Sequence, residues 1–124
     1  MPAEDTPPAE VGIDDVASDA PASLPFATLR LAEIATALVA DPSLVLLDEP
    51  LAGLDAHERA AVLGAIARLR AQGRSVLIVE HDRASVESIA DRVYELQEGQ
   101  AVEKPRIVRP IRARRKGAAV AAGA

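Results

Sequence analysis

The sequence contains no cysteine and no tryptophan, and its only aromatic residues are Phe26 and Tyr94 among 124 residues. The lack of cysteine excludes disulfides, thiol catalysis and cysteine-ligated zinc. With so few aromatics, the core has to be built from Leu, Ile and Val. No apolar run reaches the ~18 residues that a membrane-spanning helix needs, and the acidic N-terminus lacks the features of a signal peptide. We therefore expect a soluble cytoplasmic protein.

Charge is unevenly distributed and divides the chain into three parts. Residues 1–22 contain six acids, four prolines and no base, which predicts a disordered acidic leader. Residues 104–124 contain seven bases and no acid, and the end is rich in Ala and Gly, so we expect a disordered basic tail. Nucleic acid or an acidic lipid surface is the less favoured interpretation of that tail, because no aromatics interleave the charges. The folded domain is predicted to span residues 23–103.

Within this domain the hydrophobic period switches regularly between helix and strand. The pattern predicts helices at 28–39, 55–72 and 82–89, strands at 43–47, 75–79 and 92–96, and a turn at 98–99 that returns the chain into 101–103. Asp55, with Glu58 three residues on, is a capping signal for the second helix, and Gly73 is a typical end. Alternating elements predict an α/β fold with a parallel sheet, and the unbroken apolar strands indicate that both sheet faces are covered.

Charged residues follow two of the predicted strands at the point where each strand ends. Asp48 and Glu49 follow the first strand, and His81 follows the second. The carboxyl ends of parallel strands share one edge of a sheet, where ligands bind. Acids in such places often cap the next helix, which explains Asp55 and Asp82 but not the Asp48-Glu49 pair. Two buried adjacent carboxylates would be costly without a cation, and Mg²⁺ would satisfy that cost.

The strand-end segments resemble three motifs of the ATP-binding subunits of ABC transporters. Residues 44–50, LVLLDEP, are similar to the Walker B motif, residues 51–55, LAGLD, to the D-loop, and residues 79–82, VEHD, to the switch-histidine segment. The resemblance implies an α/β fold of the P-loop NTPase class (ABC type), with three layers and a parallel sheet. It also implies ATP and Mg²⁺ as cofactors.

The same resemblance implies a role for each matching residue. Asp48 would hold Mg²⁺, usually through water, Glu49 would orient and polarise the attacking water, and His81 would contact the γ-phosphate. Gly53 and Asp55 of the D-loop segment would belong to the nucleotide-binding surface. Phosphoryl transfer depends mainly on positioning and charge stabilisation, and a placed base contributes on the order of 10²–10⁴-fold.

Residues Leu24, Pro25, Phe26, Ala27 and Thr28 lie where this family carries its Leu-Ser-Gly-Gly-Gln signature. They are most similar to the Leu-Pro-Tyr-Gly-Gln variant of branched-chain amino-acid transporters. A signature offers a hydroxyl and unshielded N–H groups at a helix N-terminus to the nucleotide of the opposite subunit. Pro25 has neither, so we expect weak or absent recognition of that nucleotide. A plain amphipathic helix that packs on the sheet is the alternative.

A phosphate-binding loop of the form Gly-x-x-x-x-Gly-Lys-Ser/Thr is absent from the sequence. The only lysines are Lys104 and Lys116, and neither follows a glycine. The chain therefore resembles the C-terminal portion of a nucleotide-binding domain that lacks the P-loop strand. In this class that strand lies between the strands matching 75–79 and 92–96, so either these two strands close up or a gap leaves unpaired edges. We expect an isolated chain that is weakly stable, self-associating or dependent on a partner.

Two functions follow from these observations. In the first, the chain is a partial ATP-binding and ATP-hydrolysing subunit of an ABC transporter, for branched-chain amino-acid import, and is inactive alone. Its partners would be a second ABC ATPase subunit and transmembrane permease subunits at the inner face of the cell membrane, with no nucleic acid. In the second, the chain is a non-catalytic interaction fragment or truncated remnant that does not bind ATP alone. DNA-repair and chromosome ATPases are disfavoured, because the sequence has neither heptads nor cysteines.

Overall fold

The computed structural model describes residues 6–16 and 18–105 and the backbone of residues 119–122. The helices are α1 (Pro7–Val11), α2 (Phe26–Leu38), α3 (Ala56–Ala71) and α4 (Arg83–Ile89). The strands are β1 (Leu44–Asp48), β2 (Ser75–Val79), β3 (Arg92–Gln97), β4 (Gln100–Lys104) and β5 (Ala119–Ala122). No helix among the described residues is both long and apolar enough to cross a membrane.

The central crossover helix α3 begins and ends where its capping residues predict. Glu58 N donates to Asp55 Oδ1 at 2.8 Å, and Asp55 N donates to Glu58 Oε2 at 2.9 Å, so both halves of the capping box are present. After the helix, Gly73 adopts φ +90°, the left-handed conformation that glycine permits without strain. The buried face of the helix consists of Val62, Ala65, Ile66 and Leu69.

Strands β1 and β2 pair in parallel, with a register that runs from Leu44↔Ser75 to Asp48↔Val79. Val45 and Val76 face the same core cluster as the buried residues of α2 and α3. Leu44 and Leu46 lie on the opposite face of β1 and are 52% and 65% exposed. The prediction that β1 is covered on both faces is therefore wrong, because in the described part of the chain no element covers this side of the strand.

Strands β3 and β4 form an antiparallel hairpin, as the sequence predicts. The turn residues Glu98 and Gly99 have φ of +49° and +80°. A two-residue type I′ turn requires positive φ at both positions, and its twist matches that of the flanking strands. Lys104 is the last residue of β4 and makes an ion pair with Glu95 at 3.1 Å, so the predicted disordered tail does not begin at Lys104.

Strand β5 occupies the place of the gap that the sequence leaves as one of two alternatives. It pairs in parallel with β3, from Arg92↔Ala119 to Glu95↔Ala122, and it also lies against β2. The prediction of disorder for 104–124 is thus wrong at 119–122, while residues 106–118, 123 and 124 lie outside the described residues. The physical reason is that the open edge of β3 offers unpaired N–H and C=O groups to any extended segment that reaches it.

The N-terminal segment packs on the core instead of forming a disordered leader. Helix α1 contacts α2 and α3, and Val11 and Ile13 belong to the buried core. Arg68 Nη2 donates to Val11 O at 2.8 Å, and Arg74 pairs with Glu10. The prediction of disorder for 1–22 is therefore wrong over residues 6–16, and residues 1–5 and 17 lie outside the described part. The excess of acidic residues suggested disorder, but Glu10 forms an ion pair with Arg74, which is distant in the sequence.

Replacement of Val11 by Ala measures how firmly this segment belongs to the fold. Because Val11 is fully buried, the loss of two methyl groups should lower the free energy of unfolding by about 1–3 kcal/mol. Val39→Ala is the matched control at a position that is 75% exposed, with an expected change below about 0.5 kcal/mol. Urea unfolding followed by circular dichroism measures both, and equal values for the two variants would contradict the packing of α1.

Deletion of residues 119–124 is expected to open the inner edge of β3. The amides of β3 that pair with β5 should then exchange with solvent at least roughly tenfold faster, because their hydrogen-bond partners are removed. Deletion of residues 123–124 alone is the matched control and should leave β3 protected. Hydrogen–deuterium exchange read by mass spectrometry checks the outcome, and unchanged protection of β3 in the longer deletion would contradict the pairing with β5.

Candidate functional site

The ends of β1 and β2 bring together the two segments that the sequence singles out. Asp48 is the register partner of Val79, and the chain continues the pairing by one residue, since Glu49 N donates to Val79 O at 2.8 Å. Glu49 and His81 therefore leave neighbouring strands at the same edge of the sheet. The parallel register places both residues at this edge.

Exposure at this edge differs from the expectation. Asp48 and Glu49 are both exposed, and the His81 side chain is 69% exposed. From the sequence the two adjacent carboxylates are considered as a buried pair, but both lie at the surface, and the chain returns to the core directly after them, where Pro50 and Leu51 are buried. The buried acid of the edge is Glu80, whose side chain is 1% exposed.

Glu49 turns the chain through a left-handed backbone conformation, with φ +46°. For a residue with a Cβ this conformation costs roughly 1–2 kcal/mol. The loop that follows is held by Ala52 N donating to Glu49 O at 3.1 Å and by Leu54 N donating to Leu51 O at 3.3 Å. Leu51 and Leu54 are buried in the core. Strain held in place by surrounding structure is typical of functional positions.

Glu80 joins this loop to the end of β2. Leu51 N donates to Glu80 Oε1 at 2.7 Å, and His81 Nδ1 lies 3.8 Å from Glu80 Oε2. From the sequence, Glu80 is identified only as a member of the segment 79–82 and is given no role. The available signal was its acidic character directly after a buried strand and beside His81.

Arg59 makes a second connection between the same two segments. Its Nε donates to Leu54 O at 3.0 Å, and its Nη1 lies 2.9 Å from Asp82 Oδ2. Asp82 caps α4, and the hydrogen bond from the Ser85 hydroxyl, at 2.6 Å, is the main cause that lowers the pKa of Asp82 below its usual value. The loop after β1, the start of α3 and the start of α4 are thus held together.

Gly53 and Asp55 lie in the loop between β1 and α3 and differ in their local contacts. The Asp55 carboxylate accepts the cap hydrogen bond of α3, so its Oδ1 is already occupied within the chain. Gly53 has φ +75°, and a Cβ built there would meet no atom, so the backbone conformation alone favours glycine at this position.

Residues 24–28 lead into the first turn of α2, and none of them lines the cleft that contains Asp48. Pro25 is the N-cap of α2 and makes no side-chain cap bond, and Phe26 is exposed. Ala27 is buried in the core, Thr28 is half-buried, and Leu24 lines a separate apolar groove. Further along the helix, Arg30, Glu33, Ile34 and Ala37 line a cleft of about 180 Å³ together with Asp48 and Pro50.

Asp48 and Glu49 fit a metal only as part of a metal–phosphate complex. Among the described residues there is no group of three or more His, Asp or Glu side chains that could hold a metal ion. Mg²⁺ commonly takes one or two carboxylates and completes its shell with water and phosphate oxygens. Two exposed adjacent carboxylates satisfy that requirement, with the remaining ligands coming from a nucleotide and water.

The strain at Glu49 predicts an unusual order of stability between two variants. Glu49→Gly should have a higher free energy of unfolding than Glu49→Ala by about 1 kcal/mol, because glycine adopts positive φ without a steric clash. The matched pair Glu33→Gly and Glu33→Ala, at an exposed position within α2, should show the opposite order by about 1 kcal/mol. Urea unfolding measures all four variants, and the same order at both positions would contradict strain at Glu49.

Comparison with known proteins gives consistent matches to one class. The chain is 42% identical over 115 residues to the aliphatic sulfonates import ATP-binding protein SsuB of Yersinia pestis, which covers 88% of this chain and 40% of that protein. It is 37% identical over 93 residues to the phosphate import ATP-binding protein PstB 2 of Natronomonas pharaonis, which covers 75% of this chain and 33% of that protein. No family model matches the chain.

The comparison of folds indicates the same class of protein as the comparison of sequences. The crystal structure of the ADP conformation of MJ1267, an ATP-binding cassette of an ABC transporter, matches with a TM-score of 0.72 at 25% identity, over 77% of this chain and 38% of that chain. The chain thus spans less than half the length of the relatives it matches. In sequence and in α/β fold, it corresponds to a part of an ABC transporter ATP-binding protein.

Proposed function

We propose that the chain contributes the Asp48–Glu49 and His81 side of an ATP site in an ABC-type ATPase that drives import. The main observation behind the proposal is the parallel register of β1 and β2. Because of it, Glu49 and His81 follow the ends of two neighbouring strands. The similarity to import ATP-binding proteins supports the same class of function.

Each residue of this edge would have a distinct task. Asp48 would hold Mg²⁺ through water, and the bound ion would neutralise charge on the phosphate oxygens of ATP. The exposed Glu49 carboxylate would accept a hydrogen bond from the attacking water and polarise it, an effect on the order of 10²–10⁴-fold. The exposed imidazole of His81 would donate to a γ-phosphate oxygen and orient that water.

The phosphate cradle would have to come from another polypeptide or segment. The sequence has no Gly-rich loop ending in Gly-Lys, so it lacks the ring of N–H donors and the ammonium group that bind the β-phosphate. Gly53, Asp55 and residues 24–28 would face the nucleotide of a second ABC ATPase subunit. Pro25 and Phe26 at the start of α2 offer no hydroxyl and little open backbone, so we propose only weak contact there.

The proposed assembly is an importer at the inner face of the cell membrane, with transmembrane permease subunits. The similarity of residues 24–28 to the signature of branched-chain amino-acid transporters supports that class of solute. The relatives carry the names of sulfonate and phosphate importers, so the solute rests on this segment alone. Uptake assays with a labelled branched-chain amino acid, in cells with and without the chain, test that assignment.

A non-catalytic interaction fragment is the second candidate. The exposed apolar side of β1, with Leu44 and Leu46, favours it because such a surface is suited to contact with another polypeptide. In this case Asp48, Glu49 and His81 would be inherited residues without a nucleotide to bind.

Titration of the purified chain with Mg²⁺ and ATP, followed by NMR, separates the two candidates. The proposed function predicts shifts of the backbone amides of residues 48, 49 and 81 that require both Mg²⁺ and ATP and that are lost in Asp48→Asn. Magnesium alone and ATP with EDTA are the controls. Because the phosphate cradle would come from elsewhere, we expect this binding to be weak and to appear at millimolar Mg²⁺ and ATP. No response in that range would favour the interaction fragment.

Hydrolysis gives a second measurement on the same samples. We expect no phosphate release by the chain alone, because the phosphate cradle is missing from its sequence. Mg²⁺-dependent phosphate release would contradict the expectation that the chain alone does not hydrolyse ATP. If Glu49→Gln abolished that release, the result would still support the proposed role of Glu49.

A further inference from the structure

Among residues 6–16 and 18–105, Glu80 is the only charged residue that is buried. A carboxylate in such a place is costly unless hydrogen bonds replace its water. The Leu51 N–H meets this need at 2.7 Å from Oε1 and joins positions 29 residues apart in the sequence. A charge-assisted bond of this length is among the stronger hydrogen bonds in proteins.

The bond extends the connection between β1 and β2 beyond the sheet. Within the loop after β1, Glu49 N donates to Val79 O at 2.8 Å and Leu51 N donates to Glu80 Oε1 at 2.7 Å. The loop is therefore attached to the end of β2 at two points. Glu49 is held by a main-chain bond, and Leu51 is held by the side chain of Glu80. Glu49 stands between the strand and the second attachment point, and His81 follows Glu80 directly.

We propose that Glu80 is a positioning residue, a clamp that holds the Leu51 amide and thereby sets where Glu49 stands relative to His81. That this alignment serves ATP hydrolysis rests on the function proposed above. The clamp itself is a property of the chain without nucleotide.

Packing alone does not replace this bond. The buried side chain of Leu51 anchors the loop, but hydrophobic contact is not directional. An apolar residue at position 80 would leave the Leu51 N–H without its acceptor in a buried place, which is unfavourable. A glutamine at position 80 keeps an oxygen acceptor of nearly the same shape without the charge. Comparison of an apolar residue with glutamine at position 80 therefore distinguishes the effect of the hydrogen-bond acceptor from the effect of side-chain volume.

The test compares Glu80→Met and Glu80→Gln by amide NMR and hydrogen exchange of the chain without nucleotide. In Glu80→Met, the Leu51 amide should exchange at least roughly tenfold faster relative to the Leu69 amide of α3, and its proton resonance should move upfield. Glu80→Gln should restore most of the protection. Glu33→Met, at an exposed position of α2, is the matched control and should leave Leu51 unchanged.

Two results would overturn the clamp. One is a Leu51 amide that stays protected in Glu80→Met while that variant is folded, and the other is loss of protection in Glu80→Gln equal to that in Glu80→Met. If Glu80→Met fails to fold, Glu80→Gln decides alone: an upfield shift confined to Leu51 and its neighbours supports the clamp, and an unchanged resonance refutes it. Since no nucleotide is present, failure of the Mg²⁺ and ATP titration would refute the proposed function without affecting this result.

Discussion

The parallel pairing of β1 and β2 is the constraint on which the rest of the structure depends. Parallel strands cannot be joined by a tight turn, so a crossover helix is required, and α3 provides it. The register sends Val45 and Val76 into the core and leaves Asp48 opposite Val79 at the edge. A slip of one residue would exchange the two faces of β1 and expose Val45. Core formation and the alignment of the strand ends therefore depend on the same hydrogen bonds.

Helix α1 and strand β5 cover surfaces that the β1–α3–β2 unit leaves open. Helix α1 places Val11 in the core, and the Arg74–Glu10 ion pair holds the segment from its polar side. Strand β5 supplies backbone partners to β3 and lies against β2, while the hydrogen-bonded ladders of the described strands form two sheets, β1-β2 and β4-β3-β5. A small core buries a limited share of its surface, and each such cover adds a substantial part of its stability. Among the described residues, no element covers the side of β1 that carries Leu44 and Leu46.

The acidic residues at the sheet edge differ in their exposure to solvent. Asp48 and Glu49 are exposed, where a carboxylate keeps its water and can exchange it for a cation or a substrate. Glu80 is buried, where a carboxylate is held by a directional hydrogen bond to Leu51 and serves the geometry of the loop. The strained backbone of Glu49 depends on that loop being fixed. The chemistry proposed for the exposed pair thus relies on a third acid that meets no ligand.

Hydrophobic period, caps and turns are local signals, and they were sufficient to predict the local elements and the sheet edge that carries the candidate residues. The capping box at Asp55 and the turn at Glu98 formed as predicted. Only the tertiary structure decided which acid is buried, what fills the space between β2 and β3, and that residues 6–16 fold. These outcomes depend on contacts between residues distant in the chain, such as Arg74 with Glu10 and Glu80 with Leu51, which composition and periodicity do not encode.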